Sequence, residues 1–248
     1  MRVTFLGTGS AMPVSGRGQT GLLLESETNA VLVDCGSGVL ERLAETKVGY
    51  EGISSVLLTH HHLDHVSDLM PLIKARWLAG EDDLEIVGPE GTEALVEGLL
   101  DVHDYMKGKL DLQIREVGPH EFGIAGFDAM GYEVRHSIST LAYRFTNEKG
   151  EKDFVFSGDT EAFEGLVEFA DGASVLVHDC SFPDDIEVSN HPTPSALGGV
   201  LSGSDIESVY LTHLYPHADR VTDELVESVK THFDGDVAVA EDGMVLEF

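Results

Sequence analysis

Four side chains that can bind a metal ion lie within six residues: His60, His62, Asp64 and His65. They come directly after the apolar run 56–59, which predicts a strand buried on both faces. Imidazole nitrogens and carboxylate oxygens suit Zn²⁺, and one loop can present two sets of such ligands in different directions. Because burying four polar groups beside an apolar strand costs free energy unless they are satisfied, the loop is predicted to bind metal.

Three later residues are candidates to complete the metal sites, because one loop cannot surround two ions. His136, Asp159 and His213 each follow a strand-like run. Taken singly, each would more often be a surface group or a satisfied core group. Open α/β sheets, however, gather their functional groups at the edge where the strands end. The shared position of these residues therefore favours a role as ligands.

Alternating strands and helices must position these residues. Near-continuous apolar runs predict buried strands over 31–33, 56–59, 154–158, 175–177 and 209–212. Apolar residues three and four positions apart predict helices over 37–45, 66–78, 92–105, 162–170, 194–201 and 222–232. With the alternating section 114–145, this order indicates a layered α/β protein with mixed sheets.

The length and composition predict a single domain over residues 1–248. No linker or low-complexity segment divides the chain, and its length suits one α/β domain. No run approaches the ~20 apolar residues of a membrane helix, and residues 1–7 resemble a strand rather than a signal peptide. We therefore expect a cytoplasmic protein with no membrane partner. Cys35 and Cys180 are expected to be buried thiols rather than a disulfide.

The chain is strongly acidic, since 15 Lys and Arg face 45 Asp and Glu, for a formal net charge of −30 at pH 7. The acids are spread along the sequence, which indicates an acidic surface rather than an acidic tail. Self-repulsion of this size destabilises a compact state unless salt screens it. We hypothesise a salt-loving source, which fold and activity retained after dialysis to low salt would contradict. Broad, charge-driven binding of nucleic acid is disfavoured.

The metal loop, Thr59-His60-x-His62-x-Asp64-His65, resembles the signature of the metallo-β-lactamase superfamily. Other segments resemble its ribonuclease Z branch and the cyclic-phosphodiesterase relatives of that branch. These segments are 5–13, with Arg17 and Thr20 after it, 33–36, 86–91, His178-Asp179-x-Ser181-Phe182 and His191-x-Thr193-x-x-Ala196. The resemblance runs from residue 3 to about residue 215. It implies a four-layer αββα sandwich of two mixed sheets.

The same resemblance implies two divalent metal ions. One would be held by His60, His62 and His136, the other by Asp64, His65 and His213, with Asp159 bridging them. His62 stands where the di-iron redox members have Glu, so the set resembles the zinc hydrolases. Ligands of these types leave Mn²⁺ open as an alternative to Zn²⁺.

A hydrolytic mechanism follows from these assignments. Two close ions make hydroxide available near neutral pH, and Asp64 or Asp159 could orient this bridging nucleophile. The resemblance makes His191 the candidate general acid, with Asp179 holding its other nitrogen. A position before Pro192 would also suit a residue at the entry to a helix. His178 is open between a catalytic role and a supporting one.

Other residues are expected outside the ligand set. The side chain of His61 should point away from those of its neighbours, and Asp34 should support the metal loop by hydrogen bonds. His217 is close enough along the chain to His213 to line the pocket without binding metal. His103, His120 and His232 lie in polar helical or turn contexts.

The substrate expected from the sequence is a small or cyclic phosphodiester. About twenty residues separate His136 from Asp159, and about as many separate Asp159 from His178, which leaves no room for the tRNA-binding arm of ribonuclease Z. The alternatives are tRNA 3′ processing with RNA as the partner, and hydrolysis of a lactone or thioester. A non-enzymatic binding module would be expected to have lost some of the metal-binding residues, whereas in this sequence every expected ligand position carries a His or an Asp. The helix over 66–78 could support a homodimer or belong to the core.

Overall fold

The computed structural model describes residues 1–146, 153–186 and 188–247. Among them, one sheet contains β1 Arg2–Gly7, β2 Gly21–Glu25, β3 Ala30–Val33, β4 Ser55–Leu57, β5 Asp83–Gly88, β6 Asp111–Glu116 and β14 Val245–Glu247. The spatial order is β14-β1-β2-β3-β4-β5-β6. Because β3, β4, β5 and β6 are parallel, their carboxyl ends share one edge.

A second sheet contains β7 Glu121–Ile124, β8 Phe127–Glu133, β9 Leu141–Thr146, β10 Asp153–Phe156, β11 Val175–Asp179, β12 Ser208–Thr212 and β13 Asp236–Val239. Its order is β13-β12-β11-β10-β9-β8-β7. The strands from β10 to β13 are parallel, whereas β7, β8 and β9 pair antiparallel. Both sheets are therefore mixed.

Helices pack on the outer face of each sheet. They are α1 Val39–Glu45, α2 Leu63–Val66, α3 Leu69–Ala79, α4 Thr92–Val102, α5 Glu164–Ala170, α6 Pro194–Leu201, α7 Pro216–Asp219 and α8 Thr222–Lys230, with a 3₁₀ turn at Asp104–Met106. Rings such as Phe5, Tyr143 and Phe154 fill the layer between the sheets. Separate apolar clusters join the helices to their own sheet. The predicted four-layer αββα sandwich is confirmed.

The helix predicted over 66–78 is confirmed as α3 Leu69–Ala79, but it begins three residues later than predicted, because a turn at Ser67 and Asp68 separates it from α2. The Asp68 carboxylate accepts hydrogen bonds from Gly38 N, at 2.9 Å, and Leu40 N, at 3.0 Å, at the start of α1. The turn separates α2, which carries Asp64 and His65, from α3, whose buried Leu69 and Leu72 pack into the core. Ligand presentation and core packing are thus divided between two helices.

The remaining differences lie at helix ends and near the end of the sequence. The predicted helix over 92–105 stops at Val102 and gives way to the 3₁₀ turn. β13 and β14, which were not predicted, pair with β12 and β1. Both cysteines are free and buried, as expected. In the part of the chain that the structure describes, no helix is long and apolar enough to cross a membrane.

Candidate metal centre

The ligand loop leaves β4 at the edge where the parallel strands end. His60 and His62 lie in the loop, whereas Asp64 and His65 lie in α2. Gly36 packs directly beneath this loop, since a Cβ atom there would collide with the carbonyl oxygen of Asp64. The glycine after β3 therefore allows the loop to approach the first sheet closely.

His60, His62 and His136 direct three ring nitrogens at one another. His62 Nδ1 lies 3.1 Å from His60 Nε2 and 3.1 Å from His136 Nε2. Asp159 Oδ2 completes this set, at 3.7 Å from His60 Nε2 and 4.0 Å from His136 Nε2. One ring nitrogen carries a single lone pair or a single proton, so it cannot satisfy both neighbours. A cation at their centre can.

Asp64, His65 and His213 form a second set around the same Asp159 carboxylate. His65 Nε2 lies 3.3 Å from Asp159 Oδ1 and 3.8 Å from Asp64 Oδ2. His213 Nε2 lies 3.0 Å from Asp64 Oδ2 and 3.2 Å from Asp159 Oδ2. His65 Nε2 is buried without a hydrogen-bond partner among the described residues. Such an atom costs free energy unless a ligand contacts it.

The spacing of the donor atoms fits divalent cations. Bonds of 2.0–2.1 Å from Zn²⁺ to nitrogen or oxygen place neighbouring donors of a tetrahedron about 3.3 Å apart. Within each set the donor atoms lie within 4.8 Å of one another, and Asp159 belongs to both sets. The structure thus brings together all seven residues that the sequence proposes as ligands. The two sets fit two ions that share one carboxylate.

Four of the candidate histidine ligands are oriented in the same way, by a protein oxygen at Nδ1. The pairs are His60 with Thr59 Oγ1 (3.0 Å), His65 with Asp34 Oδ2 (2.7 Å), His136 with the Asn190 carbonyl (3.2 Å) and His213 with Ser181 Oγ (2.9 Å). An N–H that donates at Nδ1 leaves the lone pair of Nε2 for a metal. His62 differs, because it presents Nδ1 to the cluster.

Asp34 holds the metal loop by three hydrogen bonds, as the sequence predicts. Its carboxylate accepts from Thr59 N, at 2.8 Å, from Thr59 Oγ1, at 2.8 Å, and from His65 Nδ1. The residue is fully buried and has a φ of 59°. Asn190 and His213 are also left-handed, with φ of 71° and 60°. Left-handed backbone at non-glycine residues is costly and tends to persist where function requires it.

The electrostatics leave the first set of imidazoles neutral. Burial lowers the pKa of His60, His62 and His136, most strongly for His60. Burial alone would raise the pKa of the Asp159 carboxyl, but the neighbouring His213 and His65 outweigh burial and hold that pKa well below its usual range. Neutral imidazoles and an ionised carboxylate are the forms that bind metal.

His191 and Asp179 form a hydrogen-bonded pair beside the second set. His191 Nδ1 donates to Asp179 Oδ2 at 2.7 Å, and the His191 ring stacks on that of His213 with centroids 5.5 Å apart. Burial opposes protonation, but Asp179 outweighs it and raises the pKa of His191 to about 9. With Nδ1 engaged, Nε2 is the nitrogen left for a substrate.

Ser181 links this pair to the candidate metal ligands, a role that the sequence analysis missed. Ser181 Oγ donates to Asp179 Oδ1 at 2.6 Å and accepts from His213 Nδ1 at 2.9 Å. One hydroxyl therefore links the carboxylate that orients His191 to His213, a candidate metal ligand. Its place in the His178-Asp179-x-Ser181-Phe182 motif was the available signal.

The other histidines lie outside the cluster. His61 Nε2 contacts Thr92 Oγ1 at 2.8 Å, at the start of α4. His178 is buried, and its Nδ1 donates to the Asp179 carbonyl at 2.7 Å. The sequence predicts that His217 lines the pocket at the metal cluster. Instead, His217 lines a neighbouring cavity with Arg220 and Leu225.

A cavity of about 570 Å³ opens onto both ligand sets. Its lining comprises Ala11, His62, Leu63, Asp64, His136, Ser137, Asp159, Phe182, Val188, Ser189, Asn190, His191 and Tyr215. No Lys or Arg stands among these described lining residues. The rings of Phe182 and Tyr215 stack at 4.5 Å. Burial first, and then Asp64, Asp159 and Asp179, raise the pKa of Tyr215 to about 12, so its phenol stays protonated.

Comparisons with known proteins show the family to which this chain belongs. Residues 1–198 match the family described as anti-Pycsar protein Apyc1. The chain is 30% identical over 271 residues to ribonuclease Z of Mycolicibacterium gilvum, with 98% of this chain and 94% of that protein covered. It is 28% identical over 305 residues to ribonuclease Z of Haloferax volcanii, with 100% and 95% covered.

A solved structure extends the likeness to the whole fold. The metallo-β-lactamase fold protein YhfI from Bacillus subtilis superimposes with a TM-score of 0.87 at 26% identity, and 100% of this chain and 99% of that chain are covered. The matches to known families, the fold and the cluster of candidate ligands together show that the chain is a metal-dependent hydrolase of the metallo-β-lactamase superfamily.

Proposed function

Because this chain belongs to the ribonuclease Z-like branch of the metallo-β-lactamase superfamily, in the family of anti-Pycsar protein Apyc1, we propose that it hydrolyses a small or cyclic phosphodiester. The supporting observation is the placement of His191 beside two ligand sets that share Asp159, at one cavity. Paired metal sites of this kind serve in-line displacement at phosphorus. The ions proposed are Zn²⁺, with Mn²⁺ as the alternative.

When bound, two divalent ions activate a water molecule and stabilise charge on the phosphoryl oxygens. Asp64, whose carboxylate lies at 3.0 Å from His213 Nε2, orients the attacking water. The water oxygen forms the new bond to phosphorus as the bond to the leaving oxygen breaks, and the proton that the water loses passes to the Asp64 carboxylate. His191 Nε2 gives its proton to that leaving oxygen, and Asp179 stabilises the imidazolium and fixes the ring.

The charges around the cavity favour a substrate with few phosphates. An RNA backbone binds through Lys and Arg, but the described cavity lining contains neither, and the chain carries a net charge of −30. The alignment with the Haloferax volcanii enzyme is 305 positions long, although this chain has 248 residues. That enzyme therefore contains segments that this chain lacks.

Two other reactions compete with this proposal. The names of the relatives favour processing of tRNA 3′ ends, which would require a partner or high salt to replace the missing cations. Hydrolysis of a lactone is the second competing reaction, since bound metals polarise carbonyl groups. A thioester is less favoured, because a thiolate leaves without the proton that His191 supplies.

The first experiment measures hydrolysis of bis-p-nitrophenyl phosphate in high salt, with Zn²⁺-loaded or Mn²⁺-loaded protein. His65→Ala removes a ligand whose Nε2 faces Asp159. His61→Ala is the matched control, because this neighbouring histidine contacts Thr92 instead. We expect turnover by the wild type and by His61→Ala, and none by His65→Ala.

Positive turnover leads to a panel of 3′,5′-cyclic nucleotides, a precursor tRNA with a 3′ trailer, a lactone and a thioester. Faster hydrolysis of a cyclic nucleotide than of the precursor tRNA supports the proposal. Hydrolysis confined to the tRNA, or to a carbonyl substrate, would replace it with the corresponding alternative.

A further inference from the structure

The phenol of Tyr215 is the feature of the cavity that the mechanism above does not use. Tyr215 lies two residues after His213, directly before α7, and is half buried in the cavity wall. Its hydroxyl has no hydrogen-bond partner among the described residues, whereas the hydroxyl of Ser181 nearby is fully engaged. An uncommitted donor therefore remains at the cavity.

The ring of Tyr215 is held on several sides. Phe182 stacks on it with centroids 4.5 Å apart and an interplanar angle of 26°. The rings of His191 and His213 approach it at 6.0 Å and 5.8 Å, and the Tyr215 N–H donates to the carbonyl of Ser181 at 3.3 Å. These contacts fix the phenol between the proposed general acid and a metal ligand.

Hydrolysis of a phosphodiester requires hydrogen-bond donors that stabilise negative charge on the phosphoryl oxygens. Negative charge spreads over the equatorial oxygens of the phosphoryl group in the transition state. Enzymes commonly stabilise this charge with Arg or Lys, yet the described lining of this cavity contains neither. A neutral, rigidly held O–H provides a hydrogen bond without adding a charge beside Asp64 and Asp159.

We propose that Tyr215 is a catalytic residue that donates its phenolic hydrogen bond to a non-bridging phosphoryl oxygen of the substrate. The role rests on the proposed phosphodiesterase function. Tyr215 keeps its proton throughout, so it is distinct from His191, which transfers one. The hydrogen bond strengthens as charge develops on the oxygen, and its loss should therefore lower kcat more than it raises KM.

The test compares Tyr215→Phe with Tyr210→Phe in metal-loaded protein. The first change removes the hydroxyl and keeps the ring that stacks on Phe182. The second removes a phenol of β12 whose ring packs near Phe5, at 6.0 Å, in the core between the sheets. For Tyr215→Phe we expect kcat on bis-p-nitrophenyl phosphate to fall about 10- to 100-fold, with unchanged metal content and melting temperature. Tyr210→Phe should keep the wild-type kcat.

Binding of inorganic phosphate, measured by calorimetry on the same proteins, provides a readout that does not need turnover. Tyr215→Phe should bind phosphate more weakly than the wild type, by about 3- to 10-fold. Equal phosphate affinity and equal kcat in the two proteins would overturn the role of Tyr215. A wild type that binds phosphate through Tyr215 but hydrolyses no phosphodiester would contradict the proposed function alone.

A fall in kcat accompanied by lost metal or a lower melting temperature would instead assign Tyr215 a packing role. Phe182→Leu, which removes the stacked ring and leaves the hydroxyl, distinguishes the two cases. If packing of the rings is what matters, Phe182→Leu should lower kcat more than Tyr215→Phe, which keeps the stacked ring. If the hydroxyl matters, phosphate affinity should fall more in Tyr215→Phe.

Discussion

The two sheets contribute to the metal centre in different ways. The first sheet supplies four candidate ligands from one short segment, His60 to His65, which comprises the loop after β4 and the start of α2. The second sheet supplies His136, Asp159 and His213 from the ends of β8, β10 and β12, which are far apart in sequence. The first contribution is local, and the second exists only when several strands are in register.

The supporting hydrogen bonds follow the same division. One buried carboxylate, Asp34, holds both Thr59 and His65 in the first sheet. In the second sheet each of the two candidate histidine ligands has its own partner, the Asn190 carbonyl for His136 and Ser181 for His213. A change at the first sheet should therefore disturb several ligands together, and a change at the second should disturb one.

Asp159 should give the largest effect, because it is the carboxylate that both ligand sets share. We expect Asp159→Ala to weaken metal binding by more than the about 100-fold typical of changes to groups that only support a ligand, and to abolish turnover. Metal content by mass spectrometry and hydrolysis of bis-p-nitrophenyl phosphate measure this. Retention of two ions per chain would show that the sheets hold their ions independently.

His191→Ala should separate chemistry from metal binding on the second sheet. A general acid contributes about 10²- to 10⁴-fold to the rate, but p-nitrophenolate leaves without a proton. We expect a loss of that size for a cyclic nucleotide, little loss for bis-p-nitrophenyl phosphate, and unchanged metal content. Equal losses on both substrates would assign His191 to positioning instead.

Asp34→Ala and Ser181→Ala test the contrast between the supporting groups directly. The first should weaken metal binding about 10- to 100-fold and lower the free energy of unfolding by about 3 kcal/mol, since three buried donors lose their acceptor. Ser181→Ala should have a smaller effect on stability, of about 1 kcal/mol. Denaturant titration measures the free energy of unfolding of both variants, and metal titration measures their metal affinity. Equal effects in the two variants would show that the two sheets do not differ in how they support the candidate ligands.

Gly199→Ala should give the smallest effect, and it should raise the free energy of unfolding rather than lower it. Gly199 lies within α6 on the outer face of the second sheet, and a Cβ atom there meets nothing within 4 Å. Alanine favours a helix over glycine by up to about 1 kcal/mol, so the free energy of unfolding should rise without any change in kcat. Gly198→Ala is the contrasting variant, since its Cβ would lie 2.6 Å from the Val229 carbonyl oxygen of α8 and should destabilise.

The fold was largely predictable because buried strands leave a strong pattern. Continuous apolar runs marked β3, β4, β10, β11 and β12, and the helix over 194–201 matches α6. The boundary between α2 and α3 was not predictable, because Asp68 is needed at the start of α1, some thirty residues earlier. β14 escaped notice because this short, partly exposed strand depends on pairing with β1 at the other end of the chain.

By itself, the sequence determined which metal-binding groups the candidate centre offers, since the types and spacing of His60, His62, Asp64 and His65 are a local property of one six-residue segment. It also set the acidic character of the surface, which depends on composition alone. Only the tertiary structure decided that Ser181 joins His213 to Asp179, and that Tyr215 lines the cavity with a hydroxyl that no described residue engages. Such roles depend on distances of about 3 Å between residues on different strands and loops, which no local pattern encodes.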